Sequence, residues 1–183
     1  TRREGLELSA TTKWNSIEIA ARYSYIRATF QSPFRENSPN NSSSDGAGAI
    51  VVNPGDEIPG IPQQTFKLRL SYAANDTWSI GTTVSCASAI FARGDENNRD
   101  RNGRIPGYAV VGINARWRPF AETEVFALLD NVFDQRYANF GVLGRNFFTG
   151  PGRTFAPDTA LAEQFLGSGV PFGAWIGIRH EWR

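Results

Sequence analysis

Methionine is missing from this sequence altogether, cysteine occurs once (Cys86) and histidine once (His180). A complete primary translation product starts with Met, so the chain is expected to have lost its N-terminus by processing, trimming or fragmentation, and any signal peptide with it. One cysteine excludes a disulfide framework and a cysteine-based zinc site within the chain, and one histidine removes most catalytic constellations that need an imidazole. Neither sign of charge is in excess: the formal net charge is +1, which leaves no basic footprint for nucleic acid. Apolar runs are short as well. None approaches the ~18 residues of a membrane-spanning helix, which excludes a helical membrane protein but not a β-barrel, whose strands alternate and give no hydropathy peak. At 183 residues and 40% hydrophobic content the chain is long enough for a packed domain of ordinary size.

What the sequence has in quantity is alternation. In residues 172–182, Phe172, Ala174, Ile176, Ile178, His180 and Trp182 share one parity against Gly173, Trp175, Gly177, Arg179 and Glu181. Side chains of a strand point to opposite faces in turn, so one face here is apolar and the other small or charged. The pattern recurs. Leu6, Leu8 and Ala10 oppose Glu7 and Ser9; Ile17, Ile19, Ala21, Tyr23 and Tyr25 oppose Glu18, Arg22 and Ser24. Phe66, Leu68, Leu70 and Tyr72 oppose Lys67, Arg69 and Ser71, and Trp78, Ile80, Thr82, Val84, Cys86 and Ile90 share a face. Val111, Ile113, Ala115 and Trp117 oppose Asn114, Arg116 and Arg118, and Val125, Ala127 and Leu129 begin a further run. This pattern predicts about seven strands.

A soluble sandwich and a transmembrane barrel both alternate in this way. Length separates them: several runs alternate for ten or more residues, whereas soluble strands are most often about five or six and membrane strands need about 9–11. Connections separate them too. Tight turns near Asn15, Asn75 and Pro119 alternate with long polar stretches at 31–62, 92–107 and 141–171, the layout of an outer-membrane barrel with short periplasmic turns and long extracellular loops. Trp78, Trp117 and Trp182 fall beside short connections or the terminus, and Tyr25, Phe30, Phe66 and Tyr108 toward long ones, as two interfacial girdles would require. The fold expected is all-β, an antiparallel transmembrane barrel. Seven is an odd count and an open sheet in lipid leaves both edges unpaired, so residues 1–183 are expected to form one sector of a larger barrel.

The run Asn131-Val-Phe-Asp134-Gln-Arg-Tyr137, with Gly5-Leu-Glu7-Leu, Pro54-Gly-Asp56, Ile58-Pro-Gly-Ile-Pro62 and Ile105-Pro-Gly-Tyr108 in this order, resembles the C-terminal β-barrel portion of TonB-dependent outer-membrane receptors. Arg183 after Trp182 departs from the aromatic ending common in outer-membrane proteins. The Asn131 to Tyr137 signature marks the family and reads as structural rather than as a binding site. The resemblance implies a bacterial outer-membrane location and a plugged barrel of about 22 strands. It further implies an N-terminal plug and earlier strands outside this chain, contact with TonB through that missing region, and active import of a scarce nutrient, most often a ferric siderophore. The alternative is a passive porin, or a barrel of another function, including an enzyme.

Ligand contacts are expected in the long loops. Arg93, Arg99, Arg101 and Arg104 share one connection with Asp95, Glu96 and Asp100; Arg145 and Arg153 share another with Phe147, Phe148 and Phe155. Guanidinium forks suit carboxylate or catecholate oxygens, and aromatics stack on planar groups; the competing reading is of solvated loop charges that pair with each other. Arg93-Gly-Asp95 matches the adhesion tripeptide, which chance produces easily in such a loop. Residues 95–100 lack the glycine and oxygen spacing of an EF-hand loop, so no calcium site is assigned. No catalytic residue, metal ligand or cofactor is assigned either. Cys86 and His180 lie on the lipid-facing parity, and Arg22, Lys67, Arg69, Arg116, Arg118 and Arg179 are expected to pair with Glu7, Glu18, Glu124, Glu181 or plug residues.

Overall fold

The structure, a computed structural model, describes residues 1–182; Arg183 lies outside the described residues. In chain order the strands are β1 (Arg2–Trp14), β2 (Ile17–Thr29), β3 (Phe34–Asn37), β4 (Ala49–Val52), β5 (Gln64–Ala73), β6 (Trp78–Ala87), β7 (Tyr108–Phe120), β8 (Thr123–Asp130), β9 (Ala138–Asn146), β10 (Leu161–Ser168) and β11 (Gly173–His180). Seven of them form one antiparallel sheet in the order β1-β2-β5-β6-β7-β8-β11. These are the seven strands that the alternation predicts. β3 with β4, and β9 with β10, make two separate hairpins within the loops.

Register converts the parity of each strand into a property of the whole sheet. Thr12, Ile19, Leu70, Thr82, Ile113, Leu129 and Ala174 stand opposite one another in succession across all seven strands. The next row on the same face runs Trp14, Ile17, Tyr72, Ile80, Ala115, Ala127 and Ile176. A one-residue slip anywhere would turn a strand's apolar set to the other side. The apolar face is bare: Leu6, Leu8, Ile80, Ile176 and Ile178 are all exposed, Ile176 at 79%. An apolar surface spanning seven strands exceeds anything a water-soluble monomer leaves open, and it matches the hydrocarbon-facing band of a barrel. β1, β2 and β7 have 13 residues each, more than the about 9–11 that a tilted strand needs to cross.

Turn chemistry sets the short end. Asn15 has φ 52°, a left-handed conformation that asparagine tolerates. Asn75 Oδ1 accepts from the amides of Thr77 and Trp78 (2.9 and 2.8 Å) and from Thr77 Oγ1 (2.8 Å), closing the β5–β6 turn. Pro119 lies near the end of β7, where the β7–β8 register shifts between Trp117 and Phe120, so its missing amide donor interrupts no regular rung. Trp78 and Trp117 stack at 5.5 Å between ring centroids on the apolar face beside these turns. The opposite girdle is thinner than expected. Tyr108 shares the parity of Asn114 and stacks on Tyr137 at 4.4 Å, while Phe30 packs edge-on against Phe34 at 5.1 Å, which leaves Tyr25 and Phe66 facing lipid at that end.

The polar face is not polar throughout. Its β2 and β5 part carries Arg22 directly opposite Lys67, with Arg69 next along. Its β8 and β11 part carries Leu128 opposite Trp175, and Phe126 opposite Gly177. The Phe126 ring occupies the space a Cβ at Gly177 would need, so only glycine lets that ring lie against the wall. Of the charges expected to pair here, Arg118 does so with Glu124 at 3.0 Å. Among the described residues Arg22, Lys67, Arg69, Arg116 and Arg179 form no ion pair.

Ile113 and Asn114 test the assignment of faces, since they are neighbours on opposite sides of β7. In the intact barrel, Ile113→Arg places a charge in the lipid-facing band at a cost of roughly 2–4 kcal/mol, whereas Asn114→Arg faces the lumen. Heat-modifiable mobility in gels should show Ile113→Arg assembling poorly and Asn114→Arg assembling close to wild type; equal folding of the two would reverse the faces.

Candidate functional site

The buried core of this chain lies above the sheet, in its loops. Of the seven buried apolar residues, Ala28 lies at the loop end of β2, and Ile50, Val52, Ile90, Ala92, Ile105 and Leu143 belong to the three long connections, residues 30–63, 88–107 and 131–172. In β4, Ile50 and Val52 turn inward while Val51 is exposed, a period-2 pattern on a hairpin. Ile90, Ala92, Ile105 and Leu143 pack together with Ala138 against them. Ile90 thus leaves the lipid-facing parity expected for it, because β6 ends at Ala87 and Ile90 instead pairs with Ile105 as an isolated bridge. The loops are folded against each other. Arg93 pairs with Val142 of β9 as a parallel bridge, through Arg93 N to Gly141 O at 2.9 Å and Leu143 N to Arg93 O at 2.8 Å.

Polar side chains tie the first loop to the second. Asn41 Nδ2 donates to Gly94 O (2.9 Å), Asp95 Oδ1 (3.1 Å) and Asn97 Oδ1 (3.3 Å), satisfying with a neutral amide the oxygens that would otherwise attract a cation. Ser42 N donates to Asp100 Oδ2 at 2.8 Å, Arg101 N to Ser42 Oγ at 2.7 Å, and Asn97 Nδ2 to Ser43 Oγ at 2.8 Å. Asn98, at φ 57°, exchanges bonds with the backbone of Glu57 on both sides, at 2.6 and 3.0 Å. Asp95 is the keystone: only 1% exposed, it accepts the amides of Arg99 (2.8 Å) and Asp100 (2.9 Å) on the same Oδ1. Its Oδ2 is buried with no hydrogen-bond partner. Burial raises the Asp95 carboxyl above its ordinary value despite those bonds. Burial acts the same way on Asp100, but hydrogen bonds from Ser42 and Asn102 outweigh it and hold that carboxyl below its ordinary value.

Around this frame the six candidate arginines fall into distinct environments. Arg104 is engaged: its Nη2 pairs with Glu57 Oε1 at 2.6 Å and its guanidinium lies 4.5 Å from the Phe91 ring centroid. Arg93, Arg99 and Arg101 contribute backbone to the frame while their side chains are exposed and, among the described residues, form no ion pair. Arg145 lies 6.0 Å from the Phe147 ring, and Phe155 packs near Phe147 (6.2 Å) and Phe148 (6.0 Å) at the far end of the β9–β10 hairpin. Arg153, at φ 61°, sits in a 3₁₀ turn beside them. No hydrogen bond joins the Arg99–Arg101 segment to Arg145 or Arg153 among the described residues. Mutual charge pairing therefore describes Arg104 and not the other five. Arg93, Arg99 and Arg101 can offer guanidinium forks on the folded second loop to an anionic group, and Arg145 can do so beside the aromatic cluster of the third.

The base of the third loop is closed by the segment Asn131 to Tyr137. Asn131 is buried, with φ 47°; its Nδ2 donates to Gln135 O (2.9 Å) and Val170 O (3.0 Å), and its Oδ1 accepts from Gln135 N (3.0 Å). Asp134 Oδ1 accepts from Phe172 N at 3.0 Å, and Tyr137 OH from Val170 N at 3.3 Å. The residues thus clamp the end of β8 to the start of β11. Sequence reasoning missed Asn41, Ser42, Asn98 and the inward side of Phe126, Leu128 and Trp175. The parity of Trp175 was a visible signal for the last group; nothing in a run of Asn and Ser distinguishes an anchor from a solvated loop.

Loop cohesion should follow Asp95. Asp95→Ala removes the acceptor of three donors and should ease local opening by about 1–3 kcal/mol, whereas Asp95→Asn keeps an acceptor and discards the buried charge. Because the folded carboxyl is raised, its contribution to stability is fully present below the ordinary carboxylate range of about 4 and is lost as pH rises through the raised value. Hydrogen exchange at the Arg99 and Asp100 amides of the intact protein, corrected for intrinsic rates, should show that dependence flattened in Asp95→Asn and protection lost in Asp95→Ala.

Solved structures with the same arrangement of strands and loops carry high similarity at low identity. The siderophore receptor PiuA from Acinetobacter baumannii superposes with a TM-score of 0.69 at 15% identity, over 97% of this chain and 21% of that one. The ferric-catecholate import receptor Fiu from K12 E. coli, closed form, gives 0.60 at 16% identity over 98% and 21%. The ferric yersiniabactin uptake receptor FyuA from Yersinia pestis gives 0.60 at 15% identity over 99% and 23%. The chain thus spans about a fifth of the length of these receptors. No curated protein matches it at the sequence level. The sequence profile described as TonB dependent receptor-like, beta-barrel, matches residues 1–132; with the lipid-facing sheet, the folded loop cap and the signature clamp in view, the chain belongs to the TonB-dependent receptor family, as a sector of its β-barrel.

Proposed function

We propose that this chain is the C-terminal part of an outer-membrane receptor that imports a scarce nutrient as an anionic ferric chelate, a siderophore, driven through TonB by the inner-membrane proton-motive force. The observation that carries the reading is the pairing of a lipid-facing seven-strand wall with a prefolded loop cap bearing an aromatic cluster and arginines that form no ion pair among the described residues. A rigid cap binds without ordering itself first, which saves conformational entropy on ligand capture. Arg93, Arg99, Arg101, Arg145 and Arg153 are the proposed ligand contacts, and Arg104 supports them from its pair with Glu57. Iron enters this reading as cargo held by its chelator, with no protein ligand required.

A passive porin is the competing function, and the inner wall speaks against it. Leu128, Phe126 and Trp175 would face open water in an empty pore, and Arg22 opposite Lys67 would repel without an anion between them. Both features suit a lumen filled by a folded plug that is apolar on one side and acidic on the other. Collapsing the proton-motive force in cells with the full-length receptor should stop uptake of the ferric chelate; uptake that continues would support the porin. In the same cells, Arg99→Glu with Arg101→Glu should lower affinity for an anionic chelate at least about tenfold, since each charge-assisted bond contributes about 1.5–3 kcal/mol, with assembly unchanged. Unaltered binding across a panel of ferric chelates would remove these two residues from the site.

A further inference from the structure

The β9–β10 hairpin has two unlike faces: one packs on the second loop, with Leu166 at its base left exposed, and the other has nothing against it among the described residues. Leu143 and Gly141 turn toward the second loop, where Leu143 is buried in the core and Ile105 fills the space beside Gly141. Gln164 Nε2 reaches across to Gly103 O at 3.2 Å from the same face. On the other face Phe140 and Val142 of β9 stand beside Phe165 and Leu161 of β10, exposed at 43%, 37%, 41% and 56%. The Phe165 ring lies 3.0 Å from where a Cβ on Gly144 would sit, so ring and backbone form a flat apolar surface. Glu163 is its one charge. The edges differ in the same sense: β9 is extended by Arg93, whereas β10 pairs only with β9 among the described residues.

We propose that this open face and edge are the docking surface for the extracellular loop carried by the barrel strands that pair with β11, a segment of the same receptor outside residues 1–183. Three observations converge on that occupant. The sheet ends at β11 with one edge unpaired, and lipid does not tolerate such an edge, so a further strand must lie there. Each loop of this sector packs on the next one round the rim: the first on the second through Asn41 and Ser42, the second on the third through Arg93 and Ile105. The third therefore presents its free side to the loop above the next strand. Finally, a flat apolar face with an open strand edge fits a protein segment that can add apolar side chains and backbone hydrogen bonds together; a hydrophilic anionic chelate finds no cationic donor on it. The inference rests on barrel closure, which family membership supplies, and not on the identity of the cargo.

Photo-crosslinking in the full-length receptor tests it. With p-benzoylphenylalanine in place of Phe165, irradiation of ligand-free receptor should yield crosslinks to receptor peptides outside residues 1–183, both on cells and after extraction into detergent. Crosslinks confined to residues 1–183, formed only between receptor copies, formed only when a ferric chelate is added, or formed to lipid on cells and lost in detergent would each overturn the proposal. A second readout covers a variant that fails to assemble. In a Cys86→Ala background, Val142→Cys should react with a membrane-impermeant maleimide at least about tenfold more slowly than Phe148→Cys at the hairpin tip, in detergent and without ligand. Equal rates would mean that the face is open.

Discussion

Hydrocarbon offers no hydrogen bonds, and that constraint governs everything below the loops. Each backbone amide and carbonyl crossing the bilayer must find its partner on a neighbouring strand, so the register that satisfies the ladder also fixes which side chains meet lipid. The row from Thr12 to Ala174 is continuous across seven strands because the ladder pairs each strand with the next, whether a tight turn or a long loop joins them. Asn15 at φ 52° and the Asn75 carboxamide shape two of the tight turns. The wall needs almost no interior of its own, because solvent on one side is lipid and on the other is the content of the lumen.

The interior has moved instead to the extracellular end. There water competes for every hydrogen bond, and cohesion comes from what is removed from it: Ile90, Ile105 and Leu143 among the apolar groups, Asp95, Asn41 and Asn97 among the polar ones. The cap combines a small apolar cluster with a polar lattice whose central carboxylate is left one bond short. An unpartnered buried oxygen is costly, and three donors converging on its sister oxygen offset that cost.

The membrane wall was legible because its rule is simple and repeated. Parity in residues 17–25, 66–72 and 111–117 survives intact in the structure, and that of 172–182 over its strand, Gly173–His180; the Pro-Gly segments 58–62 and 105–107 do stand before strands. The cap was not legible, for a physical reason. Its core is built from single apolar residues far apart in sequence, Ile90, Ile105 and Leu143, and its hairpin β3–β4 has four residues per strand, too few to show a period. Ile90 was misplaced because alternation was extended past the end of β6, and Tyr108 because its place beside a long loop was weighed above its parity, which is that of Asn114. The arginines were found by residue type alone; that Arg104 is held by Glu57 while Arg99 and Arg101 are free depends on contacts across 47 residues and more.

In the second loop, Arg99 and Arg101 are fastened by their amides, to Asp95 Oδ1 and Ser42 Oγ, so the groups that hold the loop in shape are not the groups it displays. Exchange of either side chain alters the chemistry presented to the outside and leaves the scaffold's bonds untouched, apart from proline, which would delete the amide. Such a surface can change its charge and shape by single substitutions, without passing through a misfolded intermediate. The variation tolerated at these two positions is a property of the backbone beneath them.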